Sequence, residues 1–280
     1  MFRLIQFKVI KKIMSVFQNK KINISKINKE LREKGYSILN SKINEKLCDQ
    51  YFNVIYSNLK VTKKEIKFHG RETKILYNLM NKSFIFFKLI FDKKINEICK
   101  NYFKVGAHSK DKNIYQFDNL CSRILEQPCK SQPLHIDSRI AGVYPPTSLH
   151  FFIYLSDVKD ESGPTQIVPS SHKLNRFPKK KDEIKAKKII GKKGTVIVVN
   201  SSTWHGSSIK KNHERRAILT LVYTRWFIRQ QFAVPFSLPK TYIKKLSNKM
   251  KMILGFYNYS PVDEKDRITS RGKIKNYILK

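Results

Sequence analysis

A chain of 280 residues is long enough to bury one sizeable core, and with 41% hydrophobic and 12% aromatic residues but only 10 glycines and 10 prolines it is neither a disordered nor a fibrous sequence. The formal net charge of +36 would ordinarily point to nucleic acid or an anionic membrane. Its lysines are scattered through every segment, as in KKINISKINKE and YIKKLSNKMK, instead of being gathered with arginine and aromatic residues in one tract, which argues against a dedicated polyanion binder.

Residues 1–21 begin MFRLIQFKVIKKIMSVF. Lys8, Lys11 and Lys12 interrupt this apolar run before it reaches the roughly 20 residues a membrane span needs. No small-residue cleavage site of a signal peptide follows. A helix packed on the body is expected, with a basic amphipathic helix on a membrane surface as the alternative. From about residue 23 to 101 apolar residues recur mostly at helical spacing, in SKINKELREKGYSIL, INEKLCDQYFNVIYSNL and TKILYNLMNKSFIFFKLIFDKKINEICKNYF. Gly35 should end the first helix, with YSIL as a short strand after it.

From about residue 113 the pattern shortens to NLCSRILEQ, SLHFFIYLSDV, TQIVPSS, GTVIVVNSSTW and RAILTLVYTRWF, separated by turn material such as YPPT, DESGPT and GKKG. These are the strands of an antiparallel sandwich or barrel. Helical spacing returns after Pro235, and residues 259–280 read as a polar tail. The expected organisation is a helical extension at 1–21, one α+β domain at 22–258 with its β core at about 113–228, and the tail. Cys48, Cys99, Cys121 and Cys129 form no C-x-x-C pair, which suits a reducing, cytoplasmic setting.

The chemistry is expected around PLHID at 133–137. On an extended strand His135 and Asp137 point to the same side, offering a nitrogen and a hard oxygen to one divalent metal such as Fe(II). A third ligand is available in His205, which follows the apolar run VIVVNSSTW and is flanked by small residues. Two histidines and one carboxylate occupy one face of an octahedron and leave three positions open. A 2-oxoacid filling two of them needs a cationic anchor for its distal carboxylate. Arg215 and Arg216 open the next strand, and only one can point inward.

Taken in order, PLHID, DESGPTQIVPSSHK, KKGTVIVVNSSTWHGSS and ERRAILTLVYT resemble the phytanoyl-CoA dioxygenase family of Fe(II)/2-oxoglutarate-dependent oxygenases, over roughly residues 22–258. Ser162 and Ser170 stand where the family more often has Asn and Gly. The resemblance implies a double-stranded β-helix, a jelly-roll, cupin-like core, with N-terminal helices and a helical C-terminal extension. It implies His135, Asp137 and His205 as the metal ligands. It selects Arg215, two positions before the small Ala217, as the 2-oxoglutarate anchor. The stretch after His205 is one residue shorter than in many relatives, which keeps Arg216 as the fallback. Ser207 matches a residue that helps hold 2-oxoglutarate. Phe152 falls where relatives carry an aromatic beside the co-substrate, a position an ordinary core aromatic fits equally well.

The activity implied is hydroxylation of a C–H bond of a small molecule by O2, with 2-oxoglutarate decarboxylated to succinate and CO2. With Asp137 present, iron lacks the vacancy of halogenating relatives. The alternatives are the same chemistry on a polyanionic or nucleic-acid substrate, and a non-catalytic jelly-roll binding protein. Among the remaining histidines, His172 is expected to be structural, His150 a satisfied core residue with lining the pocket as the alternative, and His213 solvated. Arg139 would reach an anionic substrate if the strand continued past Asp137.

Overall fold

The computed structural model describes residues 16–18, 21–61, 66–68, 71–109, 113–258 and 263–267. The expected extension at 1–21 and tail at 259–280 lie mostly outside these residues. Among the described residues no helix is long and apolar enough to cross a membrane.

Helix α1 (Ile24–Glu33) starts where the Asn23 side chain accepts the Lys26 N–H, and it buries Ile27 and Leu31. The chain then turns through Gly35 at φ +80°, a conformation that costs glycine little, into strand β1 (Tyr36–Ile38), as expected. Helix α2 (Glu45–Val61) buries Cys48, Tyr51 and Ile55 at helical spacing. The region that follows departs from the helical expectation. Strands β2 (Ile66–Phe68) and β3 (Arg71–Leu76) form a hairpin, and β3 pairs with the long strand that starts the β core. Within β3, Thr73 and Ile75 are buried with the half-buried Lys74 between them, and Leu76 is buried at the strand's end. A sheet edge therefore overrides the weak helical spacing of TKILYNL. Helicity resumes in α3 (Phe87–Ile90) and in α4 (Lys93–Phe103), capped by Asp92, which accepts the Lys94 and Ile95 N–H groups.

The core strands are β4 (Tyr115–Leu125), β5 (Gln132–His135), β6 (Ser148–Tyr154), β7 (Thr165–Ile167), β8 (Lys187–Ile189), β9 (Val196–Asn200), β10 (His205–Ser207) and β11 (Arg216–Arg225). A seven-stranded sheet runs β1-β9-β6-β11-β4-β3-β2, and a four-stranded sheet runs β5-β10-β7-β8. The pairings within both sheets are antiparallel, as in a double-stranded β-helix.

Alternation along the large sheet gives each of its faces a different job. Leu120, Ile124, Phe151, Ile153, Val196, Val198, Leu219, Leu221 and Tyr223 join the helices in the main core. Phe152, Tyr154, Ile197, Val199 and Ile218 face the other way and meet Ile167 and Ile189 of the small sheet in a second, smaller core. After β11 the chain returns over the main core through the short helices α5 (Val234–Ser237), α6 (Lys240–Ile243) and α7 (Asn248–Ile253).

Candidate metal centre

His135 and His205 meet because β5 and β10 pair antiparallel with these two residues directly opposite each other, their ring centroids 4.4 Å apart. So close an approach depends on Gly206. A Cβ there would lie 2.5 Å from the Gln132 carbonyl oxygen and 2.9 Å from that of Pro133, so any side chain would push β10 off β5. Asp137 reaches the same point differently from the expectation. β5 ends at His135, and the carboxylate is carried by the bend beyond it. The Ser201 carbonyl holds that bend, accepting the N–H groups of Asp137 at 2.9 Å and Ser138 at 3.0 Å. Arg139, past the bend and exposed, is therefore not on a continuing strand.

The segment 200–204 thus orients two of the three groups, since the Thr203 carbonyl also receives His205 Nδ1 at 2.9 Å. His135 Nδ1 has an equivalent partner in the Pro133 carbonyl at 3.1 Å. A carbonyl can only accept, so both rings carry their proton on Nδ1 and keep the Nε2 lone pair for the interior. His205 Nε2 lies 3.2 Å from Asp137 Oδ2, and His135 Nε2 lies 3.7 Å from Asp137 Oδ1. Ligand atoms of the three residues all fall within 4.8 Å of one another. Two neutral imidazole nitrogens and a carboxylate, each imidazole steered by a backbone acceptor, are the donor set a divalent transition metal takes.

The charges agree with that donor set at Asp137 and His135, while His205 would give up a proton to a metal. Burial alone would raise the Asp137 carboxyl, but the His205 and His150 imidazoles beside it hold it well below the usual carboxylate range. Burial, reinforced by the neighbouring His205, lowers His135 to about 4, so it is neutral near pH 7. His205 is buried, which works against its charged form, yet Asp137 outweighs burial and raises it.

Phe152, Thr220, Ile218, Thr165, Gln132, Gly206, Arg123 and Arg216 line the cavity around this triad. The Phe152 ring lies 5.4 Å from that of His205, so this aromatic belongs to the cavity wall and to the smaller core at once. Ser207 is buried opposite Thr165 of β7 and Gln132 of β5, two of the wall residues.

Of the two arginines, Arg216 is the one that turns inward, 6% exposed. Arg215 points away. Its Nε donates to Glu126 at 3.0 Å, and its guanidinium lies 4.9 Å from the ring centroids of both Phe52 and Tyr56 on α2. The expectation that Arg215 faces the cavity fails because the pleat is already set by Ala217, Leu219 and Leu221 packing on the helix side. Residue 216 shares the phase of Ile218 and Thr220, and residue 215 does not.

Two further residues emerge only in three dimensions. Arg123 of β4 pairs with Ile218 and joins the cavity wall. Its signal is a lone charge inside the otherwise uncharged NLCSRIL. His150, expected to be a satisfied core histidine, brings Nδ1 to 3.0 Å from Asp137 Oδ2 and touches the site directly. His172 is structural as expected, its Nε2 bonded to the Arg32 carbonyl, and His213 is exposed beside Gln127.

A family model described as phytanoyl-CoA dioxygenase (PhyH) matches residues 31–218, from α1 into β11. The chain belongs to the phytanoyl-CoA dioxygenase family. Among curated PhyH relatives, dioxygenase sphC of Aspergillus fumigatus is 27% identical over 207 residues, covering 69% of this chain and 54% of that protein. Dioxygenase FUM3 of Gibberella moniliformis is 24% identical over 208 residues, covering 69% of this chain and 67% of that protein. The chain thus matches about half the length of the first relative and two thirds of the second. Two solved structures share the fold of this PhyH protein. The epimerase SnoN, in complex with Fe3+, alpha ketoglutarate and nogalamycin RO, has a TM-score of 0.62 at 15% identity, covering 78% of this chain and 91% of its own. HygX from Streptomyces hygroscopicus, with nickel and 2-oxoglutarate bound, has a TM-score of 0.59 at 14% identity, covering 73% and 88%.

Proposed function

We propose that this PhyH protein is an Fe(II)/2-oxoglutarate-dependent dioxygenase that hydroxylates a C–H bond of a small molecule. One observation carries the proposal: the inward Nε2 atoms of His135 and His205 and the Asp137 carboxylate share one cavity with the buried guanidinium of Arg216. Family membership and the metal and 2-oxoacid held by structural neighbours support it. When bound, the iron and 2-oxoglutarate activate O2 at the expense of 2-oxoglutarate, which leaves as succinate and CO2.

The chain's own residues select and hold these partners. His135, Asp137 and His205 would hold the metal, and with only three protein ligands they would leave it positions for 2-oxoglutarate and O2. Arg216 lines the cavity and is the cation suited to the distal carboxylate of 2-oxoglutarate, with Ser207, two residues past His205 on β10, as a further donor. Phe152, Ile218 and Thr220 form the walls that keep bulk water from the co-substrate. Arg123, on the same face, adds a second positive charge that favours a dianionic ligand.

Purified without oxygen, the protein should bind 2-oxoglutarate in calorimetry only after Fe(II) has been added. Once air is admitted it should form succinate slowly even without a substrate. Binding of 2-oxoglutarate that ignores Fe(II) and survives Arg216→Ala would sink the assignment. Screening a panel of metabolites for faster succinate formation then identifies the substrate.

A further inference from the structure

Three segments lie together near the metal triad: the loop after Asp137, residues 172–181 beside Trp204, which precedes His205, and the end of β11. They touch one another. A Cβ on Gly142 would lie 2.9 Å from Asn175 Cα, and the Arg176 guanidinium sits 4.3 Å from the centroid of the Trp204 ring. Arg225 Nε donates to the Pro146 carbonyl at 2.8 Å, which ties β11 to the same loop.

Outward, these segments show Ile140, Tyr144, Leu174, Phe177 and Phe227, from 42% to 77% exposed. That is half of the large hydrophobic residues exposed among the described residues, so the apolar exposure is concentrated on these three segments, where a scattered pattern would need no explanation.

The charge there is one-sided too. No Asp or Glu occurs in residues 138–156, 162–181 or 215–262, the stretches that contain the three segments. Arg139, Lys173, Lys179, Lys180, Lys181 and Arg229 are exposed within them. Elsewhere lysines meet acids: Lys159 with Glu214, Lys188 with Asp160, Lys192 with Asp157 and Lys193 with Asp49.

We propose that this face docks the protein on an anionic lipid bilayer. The apolar side chains enter the boundary between headgroups and acyl chains, and the cations meet lipid phosphates. A single-stranded nucleic acid would use the aromatics and cations but has no use for the aliphatic Ile140 and Leu174, which do not stack on bases. The proposal stands apart from the oxygenase assignment, because docking is read without turnover.

The test sediments the full-length protein with vesicles of phosphatidylcholine and phosphatidylglycerol in equal parts, and with vesicles of phosphatidylcholine alone. The protein should pellet with the first and stay in solution with the second. Tyr144→Ser combined with Phe177→Ser should weaken binding on the order of tenfold or more. Ile190→Ser combined with Ile209→Ser, also exposed but outside the three segments, should leave it unchanged. Equal loss from both pairs, or none from either, overturns the proposal.

A second measurement needs no variant. The chain has two tryptophans. Trp226 lies against the exposed Phe227, with ring centroids 5.8 Å apart, while Trp204 is 1% exposed. Lipids brominated near the headgroup should quench part of the fluorescence, and Trp226→Phe should abolish that quenching. Absence of quenching in the wild type, or the same salt-sensitive affinity for a single-stranded oligonucleotide as for vesicles, rules the membrane out as the partner.

Discussion

The two faces of β4, β6 and β11 divide the molecule's work. On the helix side, Phe151, Ile153, Leu219, Leu221 and Tyr223 are fully buried among other apolar residues. On the cavity side the same strands carry Arg123, His150, Arg216 and Thr220 between Phe152 and Ile218. One face holds the sheet to its helices and the other spends buried area on charge. The comparison teaches that stability and chemistry here are separated by a single step along the pleat, so neighbouring substitutions should report on different quantities.

The largest expected effect is on the cavity side. Asp137→Ala removes the carboxylate from between two imidazoles, and Fe(II)-dependent succinate formation should fall by on the order of 1000-fold or more, beyond the 10- to 100-fold typical of groups that only support a ligand. Its thermal melt in the absence of metal should fall less than that of a core truncation, because the pairing with His150 and His205 is lost but Ser201 still holds the Asp137 backbone. Next comes the helix side. Leu219→Ala should lower unfolding free energy by about 2–5 kcal/mol in denaturant titrations. The folded protein should keep its wild-type KM for 2-oxoglutarate. If Leu219→Ala raised that KM while Asp137→Ala unfolded the chain, the division between the faces would be wrong.

Much of this was legible in the sequence where local pattern and tertiary outcome agree. The Gly35 turn and the apolar runs of β6, β9 and β11 turn up at the expected places, because turn chemistry and period-two burial act over a few residues. What stayed hidden depends on partners far away in the chain. β3 is a strand only because β4 lies beside it. Asp137 is held by Ser201 and not by a strand of its own, and the meeting of His150 with Asp137 follows from how the bend crosses β6. The phase of Arg215 and Arg216 was the most instructive case. Counting back to Ala217 picks the member that points away from the cavity, whereas the apolar phase of Ala217, Leu219 and Leu221, already visible in RRAILTLVYT, requires residue 216 to face the other way.

That pair offers the sharpest test of the comparison. Arg216→Ala should raise the KM for 2-oxoglutarate through loss of about 2–4 kcal/mol of charge-assisted binding, roughly 30- to 1000-fold. Arg216→Lys should recover only part of this, since an ammonium cannot make the planar two-point contact. Fe(II) affinity measured without 2-oxoglutarate should stay near wild type.

Arg215→Ala should have the smallest effect, and in the other quantity. The guanidinium touches Glu126, Phe52 and Tyr56, with 43% of the side chain exposed. Solvent screens the ion pair, and Lys74 remains 2.6 Å from Glu126 to hold that carboxylate after the arginine is gone. What is lost is chiefly the stacking on α2, so the expected cost is about 0.5–1 kcal/mol of stability. The KM for 2-oxoglutarate should not move. A rise in KM comparable with that of Arg216→Ala would mean that both arginines reach the co-substrate, which the pleat of β11 forbids unless the strand slips by one residue. Such a slip would turn Leu219 and Leu221 into the cavity and cost far more than the substitution itself.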